Sequence, residues 1–284
     1  MRSRRVAVLV AGVLLVGAGA AVALTSGGGA TLQDEPRTDT IVWAVGDGGN
    51  GSAEARGVAA LIAGDRPRRV LYLGDVYERG TARDFREHFA PVYGPLVRRM
   101  DPTPGNHDWP GHAAGYDPYW RAVKGRRLPH HYAFDLGGWR VISLNSETPG
   151  DPAQLRFLRR ELAREKTSCV IAFMHRPRLD AGKHGDEERD VDPLWRELRG
   201  EAAILLSGHD HNLQRFRRTG GTVQYVIGAG GRERFDVNEG DDRLAFARDG
   251  VDGALRMRLR RGVARLSIVA ANGDVLDRST VRCR

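Results

Sequence analysis

The chain is short of cysteine and short of lysine, and it has only one long uncharged run. Two cysteines in 284 residues, Cys169 and Cys283, are too few for a thiolate-built structural zinc site or a dense disulfide framework. Lysine occurs at positions 124, 166 and 183 only, so 41 of the 44 basic side chains are arginine. These arginines are scattered and form no stripe of the kind that grips a phosphate backbone, and no nucleic-acid partner is expected. No internal repeat and no second domain boundary interrupts the sequence. What is present is globular: 41% hydrophobic and 28% charged residues exclude a disordered chain. The net charge is +8, and Arg2, Arg4 and Arg5 carry part of it. About +5 remains on the rest by formal counting, which favours an anionic substrate or a polyanionic envelope.

The one long apolar run lies at residues 6–24, behind a basic head, and contains the small-x-small triplet Ala21-Val22-Ala23 near its end. It reads as a secretory signal peptide, or as an uncleaved N-terminal membrane anchor, since 19 residues can span a bilayer. Its many Gly and Ala favour export over anchoring, and the absence of Cys near residue 24 argues against a lipid-modified terminus. Residues 25–37 are Gly-rich and then polar, a flexible linker to one domain over 38–284. The expected location is secreted, or the extracytoplasmic face of the membrane with a tether through 6–24. In that oxidising setting Cys169 and Cys283 can pair, tying a C-terminal strand to the central sheet. The alternative is a buried free thiol and a frayed terminus.

Within the domain, apolar runs at 41–45 and 69–73 predict buried strands. Between them, 52–63 predicts a helix with Ser52 as N-cap and Gly64 as stop. Residues 81–89 predict a further helix capped by Thr81, and 91–100 a broken helical continuation. Strand, helix, strand, helix favours a parallel sheet. Residues 109–129 read as loop, a lid or wall beside the pocket, and Trp109, His112, Tyr116, His130 and His131 are candidates to shape it, with packing or surface roles the commoner outcome. A hairpin is expected at 132–136 and 139–144 around Gly137-Gly138. The apolar face of 152–166 makes the strongest helix. A strand at 170–174, a helix at 191–199 and a strand at 202–206 follow, then strands at 223–228, 254–260 and 263–270, with one more at 274–281.

Five apolar segments end in side chains able to hold a metal: Gly46-Asp47-Gly48-Gly49, Gly74-Asp75-Val76-Tyr77, Pro104-Gly105-Asn106-His107-Asp108-Trp109, Met174-His175 and Gly208-His209-Asp210-His211. One Asp at a turn is ordinarily structural, and a lone His-x-His is as often a surface pair as a ligand pair. Five such corners along one chain are a different matter. In open parallel sheets ligands sit beyond the carboxyl ends of the strands, where these corners fall. A carboxylate shared by two cations, ringed by oxygen and imidazole donors, is the make-up of a binuclear hydrolytic centre, and such donors suit Fe, Mn or Zn.

These motifs resemble the calcineurin-like metallophosphoesterase superfamily over residues 41–284, nearest to the purple acid phosphatase type and its secreted bacterial relatives. The resemblance implies a four-layer α/β/β/α sandwich of two mixed β-sheets flanked by helices. It implies two metal ions, Fe with Zn or Mn, in a monomeric protein hydrolysing phosphate esters. Asp75 would bridge the metals, Asp47 and His211 would bind the first, and Asn106, His175 and His209 the second. His107, oriented by Asp108, would sit beside the phosphate. His184 resembles a second pocket histidine able to protonate the leaving group; a mobile-loop histidine is the alternative. Gly49 stands where other branches have a histidine, and the purple type uses a tyrosine instead. That tyrosine lies three residues beyond the Asp in the family pattern, whereas Tyr77 lies two beyond Asp75, which leaves its ligation of the first metal open. The resemblance favours a monoesterase. A diesterase acting on nucleotides or phospholipids, and a non-catalytic phosphate-binding envelope protein, are the alternatives.

Overall fold

A computed structural model describes residues 39–164, 169–185 and 189–283. The expected signal or anchor segment and the linker lie outside them. Strand β1 (Thr40–Val45) shows how the layers arise. Successive side chains of a strand face opposite ways. Val42 and Ala44 therefore enter one apolar cluster, Trp43 and Val45 another. A strand apolar on both faces must be covered on both faces.

The first sheet joins β1 to β2 (Arg69–Tyr72), β3 (Met100–Pro102), β11 (Gly253–Arg260), β12 (Val263–Ala270) and β13 (Val275–Arg282), in the order β13-β12-β11-β1-β2-β3. β1, β2 and β3 run parallel, while β11, β12 and β13 pair antiparallel. The second sheet holds β4 (Tyr132–Leu136), β5 (Trp139–Ser143), β6 (Val170–Phe173), β7 (Ile204–Ser207), β8 (Leu213–Phe216), β9 (Val223–Ile227) and β10 (Leu244–Arg248). Its order is β10-β8-β9-β7-β6-β5-β4, with β5, β6, β7 and β9 parallel. The sheets face each other across a core that includes Val42, Leu71 and Met257 from one and Val141, Phe173 and Leu206 from the other.

Helices close the outer faces. On the first sheet, α1 (Ala53–Gly64) contributes Val58 and Ile62, α3 (Ala90–Tyr93) contributes Val92 and Tyr93, and α4 (Tyr116–Lys124) contributes Tyr116 and Trp120. On the second, α5 (Pro152–Arg164) and α6 (Asp192–Leu198) bring Leu158, Leu162, Leu194 and Leu198 against Ile142, Val170 and Leu205. This is the mixed α/β, two-sheet, four-layer architecture expected.

Local signals account for most boundaries. Ser52 caps α1 by accepting from the Ala55 N–H at 3.0 Å. Thr81 and Asp84 form a reciprocal capping box that opens α2 (Ala82–Asp84), which runs through a π-helical turn at Phe85–Phe89 into α3. Two expectations need correction, and one left open is answered. The presumed loop at 109–129 contains α4, because Tyr116 and Trp120 anchor a helix on the outer cluster. β3, β8 and β10 were not expected: they are short, and polar or proline-bearing residues break their apolar pattern. The two cysteines do form a disulfide, Cα to Cα 4.9 Å apart, linking the residue before β6 to the residue after β13. No helix among the described residues is long and apolar enough to cross a membrane.

Candidate metal centre

The five corners converge. β1 delivers Asp47, β2 delivers Asp75 and Tyr77, and the loop after β3 delivers Asn106 and His107. β6 delivers His175, and β7 delivers His209 and His211. Both sheets thus point the carboxyl ends of parallel strands at one place. The backbone is strained there: Asp47, Asp75 and His209 have φ of 60°, 68° and 72°. Arg66 is the one other non-glycine with positive φ among the described residues. Left-handed backbone at branched polar residues is uncommon, and it concentrates where a side chain must be aimed. Gly105 leaves room for the result, since a Cβ there would lie 2.0 Å from Asp75 Oδ1.

The donors face one another. His175 Nε2 is 2.8 Å from Asn106 Oδ1, 3.1 Å from His209 Nδ1 and 3.4 Å from Asp75 Oδ2. Asp47 Oδ1 accepts from the Tyr77 hydroxyl at 2.8 Å, and that hydroxyl lies 2.9 Å from His211 Nε2. Tyr77 therefore reaches the Asp47–His211 pair despite its shortened spacing. Outer contacts orient the imidazoles: Nδ1 of His175 lies 2.8 Å from the Leu73 carbonyl, and Nδ1 of His211 lies 2.7 Å from the Glu233 carbonyl. Carbonyls accept only, so Nδ1 of each ring carries a proton and Nε2 is turned inward.

Electrostatics agree with a cation site. Asp47 and Asp75 are fully buried. Burial, with repulsion from Asp75, pushes Asp47 up to about 8. Burial also acts on Asp75, but the charge and hydrogen bond of His175 outweigh it and hold Asp75 below its usual range. His175 is pushed up to about 10, the Asp75 carboxylate overcoming burial. Burial lowers His211 to about 4 and keeps it neutral, as ligation requires. Two buried carboxylates, three imidazoles, an amide oxygen and a phenol, turned toward one another, are a donor set that fits a pair of divalent or trivalent cations.

The expected auxiliary residues divide. His107 sits at the rim, its Nδ1 2.6 Å from the Glu78 carbonyl and its Nε2 3.9 Å from Asp75 Oδ2. Asp108 does not act as the expected orienter of His107. Its carboxylate accepts from the backbone N–H groups of Asp75, Val76 and Gly105 at 2.9, 3.1 and 2.9 Å, so it shapes the corners themselves. His184 stacks on His209 with ring centroids 4.2 Å apart. Of the lid candidates, Tyr116 is buried in the outer cluster and His131 packs on Phe157. Trp109, His112 and His130 gather instead around Asp117, whose two oxygens lie 3.1 and 2.8 Å from the two histidines. Arg232 was not anticipated. Its guanidinium lies over the Tyr77 ring, 4.6 Å from the centroid, and pairs with Glu78 at 2.7 Å. The one sequence signal was the Gly-rich turn following β9. A cavity of about 1000 Å³ lies elsewhere, over β11 to β13 and α1, lined by residues such as Trp43, Leu61 and Arg256.

Comparison with known proteins bears on this geometry. The family described as Calcineurin-like phosphoesterase matches residues 34–213. The chain is 28% identical over 245 residues to a 3′,5′-cyclic adenosine monophosphate phosphodiesterase, CpdA, of Pseudomonas aeruginosa, covering 76% of this chain and 82% of that protein. Among solved structures, GAP50, the anchor in the inner membrane complex of Plasmodium, superposes with a TM-score of 0.72 at 14% identity, over 87% of this chain and 90% of that one. The purple acid phosphatase PPD1 of yellow lupin superposes with a TM-score of 0.69 at 16% identity, over 87% of this chain and 55% of that one. At such identities the structural likeness speaks for the fold alone.

Proposed function

The chain belongs to the calcineurin-like phosphoesterase family of metal-dependent phosphoric ester hydrolases, and from that premise we propose that it is an exported phosphomonoesterase with a binuclear centre. The observation that carries the monoesterase reading is the seat of Tyr77. Its hydroxyl joins Asp47 and His211, while Gly49 offers no side chain there. That is the purple acid phosphatase way of completing the first site. Asp47, Tyr77 and His211 would hold one ion, Asn106, His175 and His209 the other, with Asp75 between them. Fe with Zn or Mn is the proposed pair.

Bound there, the ions supply Lewis acidity and lower the pKa of water toward neutrality. The chain does the rest. The Glu78 carbonyl holds Nδ1 of His107 and leaves Nε2 turned to the pocket, where it would meet a phosphoryl oxygen. Arg232, fixed over Tyr77, adds positive charge for a dianionic ester. His184, stacked on His209, is the proton donor to the departing alkoxide. Export is supported by the N-terminal pattern and by the Cys169–Cys283 bridge, since such bridges persist in oxidising compartments. The protein is proposed to act as a monomer.

The similarity to a cyclic AMP phosphodiesterase favours a second reading, a diesterase acting on nucleotides. Metal-loaded protein assayed on p-nitrophenyl phosphate, bis(p-nitrophenyl) phosphate and 3′,5′-cyclic AMP separates the two. Preference for the first substrate, abolished in Asp75→Asn and His209→Ala, is expected. Preference for either diester would transfer the assignment, and undiminished activity after metal stripping would end both.

A further inference from the structure

Asp210 stands between two residues of the metal centre, yet its carboxylate faces away from them, toward the loop at 181–185. A Cβ on Gly182 would lie 1.9 Å from Asp210 Oδ2, so glycine is what lets this loop rest on the carboxylate. Asp210 is wholly buried, and neither oxygen has a hydrogen-bond partner. A buried carboxylate left so is costly, and native proteins rarely leave one without a proton, an ion or a water. Two further groups close on it. His184 Nδ1 is buried, accepts no hydrogen bond, and lies 3.7 Å from Asp210 Oδ1. Asp180 is buried as well; its Oδ1 accepts from the Gly182 N–H at 3.0 Å and from Gln214 Nε2 at 2.5 Å. One ligand atom from each of Asp180, His184 and Asp210 lies within 4.8 Å of the others.

We propose that Asp180, His184 and Asp210 form a third metal site, separate from the binuclear centre, for a divalent first-row ion such as Mn²⁺ or Zn²⁺. A proton shared between the two carboxylates would cancel only one charge. A divalent cation cancels both charges and uses all three donors. Two carboxylates with one imidazole suit Mn²⁺ or Zn²⁺, whereas Ca²⁺ takes oxygen ligands. The ion would tie the loop after β6 to the corner after β7. It would also fix His184 by Nδ1, leaving the other ring nitrogen for the pocket. The inference stands on this cluster alone and does not depend on which ester is cleaved.

The test is metal stoichiometry. Purified protein is stripped with chelator, titrated with Mn²⁺ and, in a second arm, Zn²⁺, and analysed for bound metal. Wild type should saturate at about three ions per chain and the isosteric Asp180→Asn variant at about two. Asp75→Asn, aimed at the binuclear centre, should keep the ion that Asp180→Asn loses. Anomalous diffraction from Mn²⁺-loaded wild-type crystals gives a readout that no variant's folding can confuse: a peak among Asp180, His184 and Asp210 is expected. No peak there, or equal saturation of wild type and Asp180→Asn in both arms, would overturn the proposal.

Discussion

The Cys169–Cys283 bridge gives the firmest magnitude. It closes a loop spanning 114 positions, and it ties the end of β13, the edge strand of the first sheet, to the start of β6 in the second. Strand β13 is otherwise held to the second sheet by the Arg215–Asp277 pair and the Tyr225–Ser279 hydrogen bond. It pairs with β12 alone, and within it only Val281 is buried. In the chain-entropy account, freeing a loop of this length from its cross-link costs about 4.8 kcal/mol at 25 °C. For a domain of this size that corresponds to a fall in Tm of roughly 10–20 °C. Cys283→Ser is the suitable perturbation, because Cys169 is 4% exposed and replacing it would mix a packing defect into the result. Urea unfolding followed by tryptophan fluorescence should show the variant losing about 4–5 kcal/mol against oxidised wild type. Wild type in dithiothreitol should fall to the same midpoint. A loss below about 1 kcal/mol would refute the reasoning, because β13 would then be held by its ladder with the covalent link adding nothing measurable. A large loss in the variant without one in reductant would point to packing instead.

Other outcomes follow from the site. Tyr77→Phe removes the hydroxyl from Asp47 and His211 and should weaken binding of one metal ion by about 10–100-fold while sparing the other, read by metal titration. Gly105→Ala places a methyl where Asp75 Oδ1 stands, so loss of bound metal together with activity is expected in a folded protein, judged by circular dichroism. Asp108→Ala strips three buried backbone N–H groups of their acceptor and should destabilise the fold by about 3 kcal/mol or more in urea titrations. Asp117 gives a pH prediction: burial raises its carboxyl, but hydrogen bonds from His130 and His112 outweigh it and hold the group low. Its contribution is therefore present above the usual Asp value near ~3.9 and lost as pH falls through the lower folded value. Asp117→Asn should loosen residues 109–130 in hydrogen exchange at pH 5, with the difference fading only in stronger acid.

The strands that sequence reasoning located carry apolar or β-branched residues in their own local run, on both faces in Ile41-Val42-Trp43-Ala44-Val45. The strands it missed are stabilised by neighbours, not by their own pattern. Gln214 is buried within β8 because Ala181 and Asp180 meet its two ends, a circumstance no local window contains. The sequence around α4 carries Gly115 and Pro118, and its helix is decided by Tyr116 and Trp120 finding a cluster built from α1, α3 and β2. Propensity lost to tertiary contact in both places.

The metal centre was more legible than the fold because its residues are bound to a topological fact, the carboxyl end of a parallel strand, and do not depend on helix or strand preference. Its limits are instructive too. Position counting cast doubt on Tyr77 because it assumed that side-chain reach is set by residue number. Reach is set by backbone direction, and the positive φ of Asp75 turns the chain so that a residue two places on arrives beside Asp47. Asp108 was misread for the same reason in reverse. Adjacent in sequence to His107, it spends its oxygens on the backbone of Asp75, Val76 and Gly105. A strained corner needs an acceptor for the N–H groups it turns away from the sheet. In this chain the acidic residue of the third motif fills that need, and so it governs the aim of Asp75.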